Sequence, residues 1–89
     1  MTWRYVAFHA RYVMGDMDDE VWTIREAYYD QNGQLFGISA APQHPSGETA
    51  EELLADLKRM ANDIQKHAPL TPKDVPGYRH EEYEVPVKD

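Results

Sequence analysis

Large apolar and aromatic side chains are concentrated in two stretches near the start of the chain, at residues 3–13 and 20–30. In the second stretch they alternate with other side chains, so that even and odd positions form two sets: Trp22, Ile24 and Tyr28, and Thr23, Arg25 and Tyr29. A period of two is typical of β-strands, whose side chains point to alternate faces. The acidic segment between the two stretches contains Gly15, so an antiparallel hairpin is the simplest connection.

The segment 30–33, Asp-Gln-Asn-Gly, predicts a second turn that leads into a third strand. A two-residue type I′ loop would place Ala27 opposite Ile38 and would divide the apolar residues between both faces. A type I turn with Gly33 in the left-handed conformation shifts the pairing by one residue and places Glu26 opposite Ile38. We predict the second register, because it collects the large apolar residues of the two strands on one face: Trp22, Ile24, Tyr28, Phe36 and Ile38.

A long helix is predicted from about Ala50 to Lys66 or His67, ending before Pro69, which cannot continue it. Its apolar residues recur at spacings of three and four and form one stripe: Leu53, Leu54, Leu57, Met60 or Ala61, and Ile64. We expect this stripe to lie on the apolar face of the sheet. Replacing Leu57 by Asp should then unfold the domain.

The start of this helix carries a capping box. Thr49 can accept a hydrogen bond from the N–H of Glu52, while the Glu52 carboxylate reaches back to the N–H of Thr49. Glu26 is predicted to point toward the core. Either it has a structural role, with a hydrogen bond to Ser46, Thr49 or the helix N-terminus, or it has a catalytic or binding role.

Together these elements predict an α+β fold in residues 1–68, a three-stranded antiparallel meander with one long helix packed on one face. Residues 69–89 contain four prolines and a cluster of acids, which predicts a Pro-rich acidic tail. Two possibilities remain open for this tail. It is disordered, or its alternating residues Tyr83, Val85 and Val87 pair with an edge of the sheet.

Composition limits the possible functions. A chain of 89 residues has a thin core and no cysteine to form disulfides, so oligomerisation is an expected source of stability. The net charge of -7 repels nucleic acid and favours a basic protein partner. No apolar run could span a membrane and the amino terminus does not resemble a signal peptide, so we expect a soluble cytoplasmic protein.

No pattern indicates an enzyme or a cofactor. The four histidines, His9, His44, His67 and His80, do not share metal-ligand spacing on one element, so no metal site is expected. A phosphate-binding loop, a nucleophile triad and a dinucleotide fingerprint are all missing from the sequence.

The sheet face opposite the helix is the candidate binding surface. By alternation, it should carry aromatic, basic and apolar side chains from all three strands: Tyr5, His9, Arg11, Arg25, Tyr29 and Leu35. Exposed aromatic side chains beside arginines are typical of protein interfaces, so we predict a homodimer or another protein partner bound through this face or an edge strand. The same surface would suit single-stranded RNA or a small enzyme, or it is simply an amphipathic exterior.

A family resemblance rests on the segment 46–53, Ser-Gly-Glu-Thr-Ala-Glu-Glu-Leu, which follows the meander. It resembles the HicB-like antitoxin domain, whose helix typically begins with a Ser-x-Gly-Asp-Thr-x-x-Glu-Ala pattern. Gly47, Thr49 and Glu52 match this pattern in kind, and Leu53 stands where the family often has alanine. The resemblance implies a domain that blocks a small basic toxin with RNase activity.

Many HicB-like proteins carry a separate DNA-binding segment after the helix. The Pro-interrupted tail departs from that pattern, so operator binding is not expected here. The segment 26–33 is also similar to short uncharacterised bacterial proteins with a Tyr-Tyr-Asp-x-x-Gly signature, a likeness that implies no function.

Overall fold

The computed structural model describes residues 1–78, except the side chains of Tyr12, Val13, Met14 and Met17 in the first hairpin. Its elements are β1 (Thr2–Met14), β2 (Met17–Tyr29), β3 (Leu35–Ile38), α1 (Ala50–Lys66) and a 3₁₀ turn (Pro72–Asp74). The strands form one antiparallel sheet in the order β1-β2-β3. The predicted meander with a single long helix is confirmed, and α1 ends at one of the two predicted residues.

β1 and β2 pair along their whole length without a bulge, so directly opposed side chains share a face of the sheet. Tyr5 lies opposite Glu26, and Phe8 lies opposite Thr23. One face, called the Trp22 face below, carries Trp3, Tyr5, Ala7, His9, Arg11, Glu20, Trp22, Ile24, Glu26 and Tyr28. The other, called the Phe8 face, carries Arg4, Val6, Phe8, Ala10, Val21, Thr23, Arg25, Ala27 and Tyr29.

The turn between β2 and β3 has the predicted chemistry. Gly33 adopts a positive φ of 79°, and its N–H donates to the carbonyl of Asp30 at 2.9 Å. The Asp30 carboxylate accepts two more backbone N–H groups of the turn, which holds this conformation in place. The first pair beyond the turn, Tyr29 with Leu35, follows the predicted register.

One residue farther on, the register shifts by one position and leaves Phe36 without a partner in β2. Ala27 therefore lies opposite Ile38, where the predicted register had Glu26. The prediction that Ile38 shares a face with Trp22 is wrong, because the bulge turns Ile38 to the Phe8 face. There it packs against the buried cluster around Phe8, which a local turn rule cannot anticipate.

The Phe8 face is covered by the chain that follows the helix. Leu70 forms a parallel bridge with Phe8, its N–H donating to the carbonyl of Ala7 at 2.9 Å. Val75 is buried, and the ring of Tyr78 lies 5.5 Å from that of Phe8. Residues 70–78 of the predicted tail thus contribute to the core. The predicted pairing of Tyr83, Val85 and Val87 lies outside the described residues.

α1 packs against β1 on the Trp22 face through polar anchors around one methionine. The Tyr5 N–H donates to an Asp63 carboxylate oxygen at 3.1 Å, and the Tyr5 hydroxyl donates to Asp56 at 3.3 Å. Met60 is only 1% exposed, and the Arg59 guanidinium lies 4.3 Å from the ring centre of Trp3. These contacts fix which side of the helix faces the sheet.

The expected contact between the leucines of α1 and the sheet is therefore wrong. Leu53, Leu54 and Leu57 are 43%, 50% and 47% exposed. Met60 lies on the same side of the helix as Asp56 and Asp63, and satisfying those carboxylates at Tyr5 turns the leucines outward. Hydrophobic spacing alone cannot foresee a helix seated on hydrogen bonds.

The helix start is built as a modified capping box. Thr49 Oγ1 accepts the N–H of Glu52 at 3.1 Å, as predicted. The Glu52 carboxylate accepts the N–H of Glu48 at 2.9 Å, in place of the predicted N–H of Thr49. Gly47 is required by close approach, because a Cβ there would lie 2.6 Å from the backbone nitrogen of Leu53.

Candidate interaction surface

The six predicted binding residues do not share a face. Tyr5, His9 and Arg11 lie on the Trp22 face, whereas Arg25, Tyr29 and Leu35 lie on the Phe8 face. The expectation of one open face is wrong, because the β1–β2 register places odd residues of β1 beside even residues of β2.

Two of the six residues are buried. Tyr5 lies under α1, and its pKa is raised, first by burial and then by the carboxylate of Asp56. Arg25 is buried on the Phe8 face, where its guanidinium donates to the Ser39 carbonyl at 3.0 Å and lies 4.9 Å from the ring centre of Phe8. Both side chains hold the fold together and offer little surface to a partner.

The remaining predicted residues of the Phe8 face are also engaged. The Tyr29 hydroxyl accepts a hydrogen bond from Arg4 at 2.9 Å, and the Arg4 guanidinium lies 4.2 Å from the centre of the same ring. Leu35 packs against the Phe8 cluster. The face predicted to be open is therefore largely internal.

The distal half of the β1–β2 hairpin presents a different surface on the Trp22 face. Trp22 is 59% exposed, yet its ring stacks on His9 with the centres 4.2 Å apart and the planes 7° from parallel. His9 Nε2 lies 2.9 Å from a carboxylate oxygen of Glu20. We call His9, Arg11, Asp18, Glu20 and Trp22 the ribbon surface.

Arg11 is tied to the carboxylate of Asp18 in the same surface. The guanidinium donates from Nε to Oδ1 at 2.6 Å and from Nη2 to Oδ2, and this hydrogen bonding raises the pKa of Arg11. Its positive charge is thus largely matched within the surface. Asp16 and Asp19, also exposed, add acidity at the tip of the hairpin.

Glu26 has a local partner. The Tyr28 hydroxyl donates to its carboxylate at 2.7 Å, a bond that raises the pKa of Tyr28. The expected bond from Glu26 to Ser46, Thr49 or the helix N-terminus is absent from residues 1–78. Its backbone N–H instead donates to the hydroxyl of Ser39 at 3.1 Å.

Sequence reasoning missed Trp22 as a surface residue by assigning it to the core. The usable signal in the sequence was the length of the first two apolar stretches, 3–13 and 20–30, compared with the shorter segment between Gly33 and Pro42. β1 and β2 have 13 residues each and β3 only four, so the distal part of the hairpin has no third strand beside it. An aromatic residue in such a two-stranded extension lacks neighbours to bury it.

Within residues 1–78, no three histidine, aspartate or glutamate side chains converge in a way that could hold a metal ion. None of the helices in this part of the chain combines the length and the apolar character needed to cross a membrane. Comparison of the chain with protein-family models, with curated proteins and with solved structures gave no match.

Proposed function

We propose that this protein is a non-enzymatic protein-interaction module that binds a basic protein partner through the ribbon surface. The proposal rests on Trp22, which is 59% exposed and yet held in place by stacking on His9. A tryptophan that is ordered before binding contributes contact area at little entropic cost, and such residues dominate the binding energy of many interfaces.

The charge around Trp22 supports a basic partner. Because Arg11 matches the charge of Asp18, the excess acidity near Trp22 comes from Glu20 and from Asp16 and Asp19 at the hairpin tip, and the net charge of the whole chain is -7. A potential of this sign steers positively charged proteins into contact. A small basic toxin, of the kind that HicB-like antitoxins block, is the partner class that the resemblance at the helix start favours.

Single-stranded RNA is the competing ligand, because an exposed tryptophan can stack on a base. The charges disfavour it. Arg11, the permanently charged cation of the ribbon surface, is already bound to Asp18, and the acids of the hairpin tip repel phosphates. The protein partner is therefore the stronger proposal, and RNA is an outcome that the test must separate from it.

The test first asks whether the neighbouring gene encodes a small basic protein, whose absence would count against the toxin-blocking role. Where it does, the binding of that protein is measured by isothermal titration calorimetry. Trp22→Ala should weaken binding by at least about 30-fold, the loss expected of an interface hot spot of ~2 kcal/mol. Phe36→Ala is the matched control, because Phe36 is an exposed aromatic residue on β3 and should change the affinity less than about threefold. Both variants should keep the wild-type circular dichroism spectrum.

Two results would reject the proposal. One is equal affinity of the basic protein for wild type and Trp22→Ala. The other is binding of a fluorescent single-stranded RNA that depends on Trp22 while the basic protein does not bind, which would establish the RNA alternative.

A further inference from the structure

The outer side of α1 carries an apolar stripe without a partner in the described part of the chain. Its members are all exposed: Ala50, Leu53, Leu54, Leu57 and Ala61. Neither the sheet nor residues 70–78 cover it. A contiguous exposed apolar strip on a small domain is a typical mark of an interaction site. We call it the leucine stripe.

The central part of the leucine stripe is self-complementary. Around a midpoint between Ala55 and Asp56, four of the five stripe residues occupy mirror-related positions, Ala50 with Ala61 and Leu54 with Leu57. Leu53, whose mirror position is Lys58, lies outside this symmetric set. If two copies of α1 lie antiparallel, Leu54 of one copy meets Leu57 of the other at the centre. The small alanines then oppose each other at both ends and let the helices approach closely.

The charges beside the stripe favour the same orientation. Glu51 and Lys58 are seven residues apart, so they lie on the same flank of the helix. In the antiparallel pair, Glu51 of one copy is offset along the axis from Lys58 of the other by two residues, or about 3 Å. Two symmetric ion pairs result. A parallel pair would instead place the Glu51 and Lys58 flanks of the two copies on opposite sides of the interface, so these ion pairs could not form.

We propose that the occupant of the leucine stripe is a second copy of this chain, bound antiparallel about a two-fold axis. One helix face per partner makes a small interface, below about 1,200 Å², so the dimer should depend on protein concentration. The proposal does not rest on the ribbon surface, which lies on β1 and β2 and shares no residue with α1.

Light scattering and sedimentation equilibrium of the full chain, from micromolar to about millimolar concentration, test the association. The wild-type mass should rise from 10.3 kDa toward twice that value. Leu54→Lys should remain monomeric over the whole range, whereas Ala55→Lys, an equal charge change at an exposed position off the stripe, should still dimerise. A wild type that stays monomeric at the highest concentration overturns the proposal, as does a Leu54→Lys variant that dimerises like the wild type.

Orientation is tested by disulfide formation, because the chain has no cysteine of its own. Leu54→Cys and Leu57→Cys proteins are mixed in equal amounts and oxidised. The antiparallel dimer predicts that the mixed disulfide exceeds the half expected from random pairing, and that Ala55→Cys crosslinks much more slowly. A mixed fraction of one half or less, or equally fast crosslinking through Ala55→Cys, would overturn the antiparallel arrangement.

Discussion

Truncating two apolar residues of the same helix should have very different effects on stability. Met60, on the side of α1 that faces the sheet, is 1% exposed, whereas Leu57, three residues earlier, is 47% exposed. Alanine replaces both residues at little cost in helix propensity, since leucine and methionine are close in the propensity scale. The difference in free energy of unfolding between Met60→Ala and Leu57→Ala therefore measures which side of α1 faces the sheet.

The expected magnitudes follow from burial. Removing a buried methionine side chain costs about 2–5 kcal/mol, because it leaves a cavity as well as losing transfer free energy. Full burial of a leucine contributes about 1.5–3 kcal/mol, and Leu57 is half in water already, so its loss should cost about 1 kcal/mol. With a urea m-value of about 1 kcal/mol per M, the low end for small domains, Met60→Ala should lower the midpoint by ~2 M or more.

The assay is equilibrium urea unfolding followed by tryptophan fluorescence and by far-ultraviolet circular dichroism. It must be run at a concentration where light scattering gives the monomer mass, so that loss of any contact between copies does not add to the effect of Leu57→Ala. Equal midpoints for the two variants, or a larger loss for Leu57→Ala, would refute the helix orientation described here.

Four further substitutions probe other parts of the fold. Gly47→Ala should lower the free energy of unfolding by about 1–3 kcal/mol, because the added Cβ would collide with the first turn of α1. Gly37→Ala is the control, since a Cβ there has open space around it, and it should shift the melting temperature by only a few degrees. Tyr28 has a raised pKa, so the stability that its hydroxyl contributes is fully present below about pH 10 and is lost as the pH rises through the raised value. Tyr28→Phe should therefore flatten the fall of the unfolding free energy above about pH 10, measured by urea titration at each pH. An unchanged fall of the unfolding free energy with pH would contradict this. Glu26→Gln, which keeps an acceptor for the same hydroxyl, should cost less than Glu26→Leu in thermal unfolding, and equal losses would remove the hydrogen-bond explanation. Arg25→Met keeps the buried stem but leaves a backbone carbonyl without its donor, for an expected loss of about 1–3 kcal/mol in urea unfolding; a neutral result would show that the bond contributes nothing net.

Local chemistry was predictable from the sequence where a few neighbouring residues decide it. Thr49 caps the helix as its position indicates, and Gly33 takes the left-handed conformation that the turn demands. Both outcomes depend on backbone groups within four residues. The number and order of the elements follow from such signals together with the hydrophobic periods, which is why the fold class was accessible.

The faces were not predictable, because contacts distant in the sequence decide them. The register set by the turn is shifted at Phe36, and this lets Ile38 reach the Phe8 cluster. The rotation of α1 is set by two aspartates that bond to Tyr5, although the leucines dominate the apolar pattern. The segment 70–78 has no period to read, and its packing on Phe8 depends on single apolar residues between prolines.

The way the sheet edges are closed limits how this protein can bind anything. On β1, the outward N–H of Tyr5 donates to Asp63 and that of His9 donates to the Leu70 carbonyl, so these positions cannot pair with another strand. The other edge strand, β3, has only four residues, and the chain beyond it continues along β2 through a bond from the Gln43 N–H to the Ile24 carbonyl.

Association by strand addition at these positions is therefore disfavoured, and side-chain surfaces must carry the binding. The described residues offer two such surfaces, the ribbon surface and the leucine stripe, and they lie on different elements. If both proposals hold, Trp22→Ala should leave the dimer intact, and Leu54→Lys should leave the intrinsic affinity for the basic partner unchanged. The double variant should show the sum of the two single effects, since sites that share no contacts are additive within about 0.5 kcal/mol. Strong coupling would instead mean that both surfaces belong to one interface.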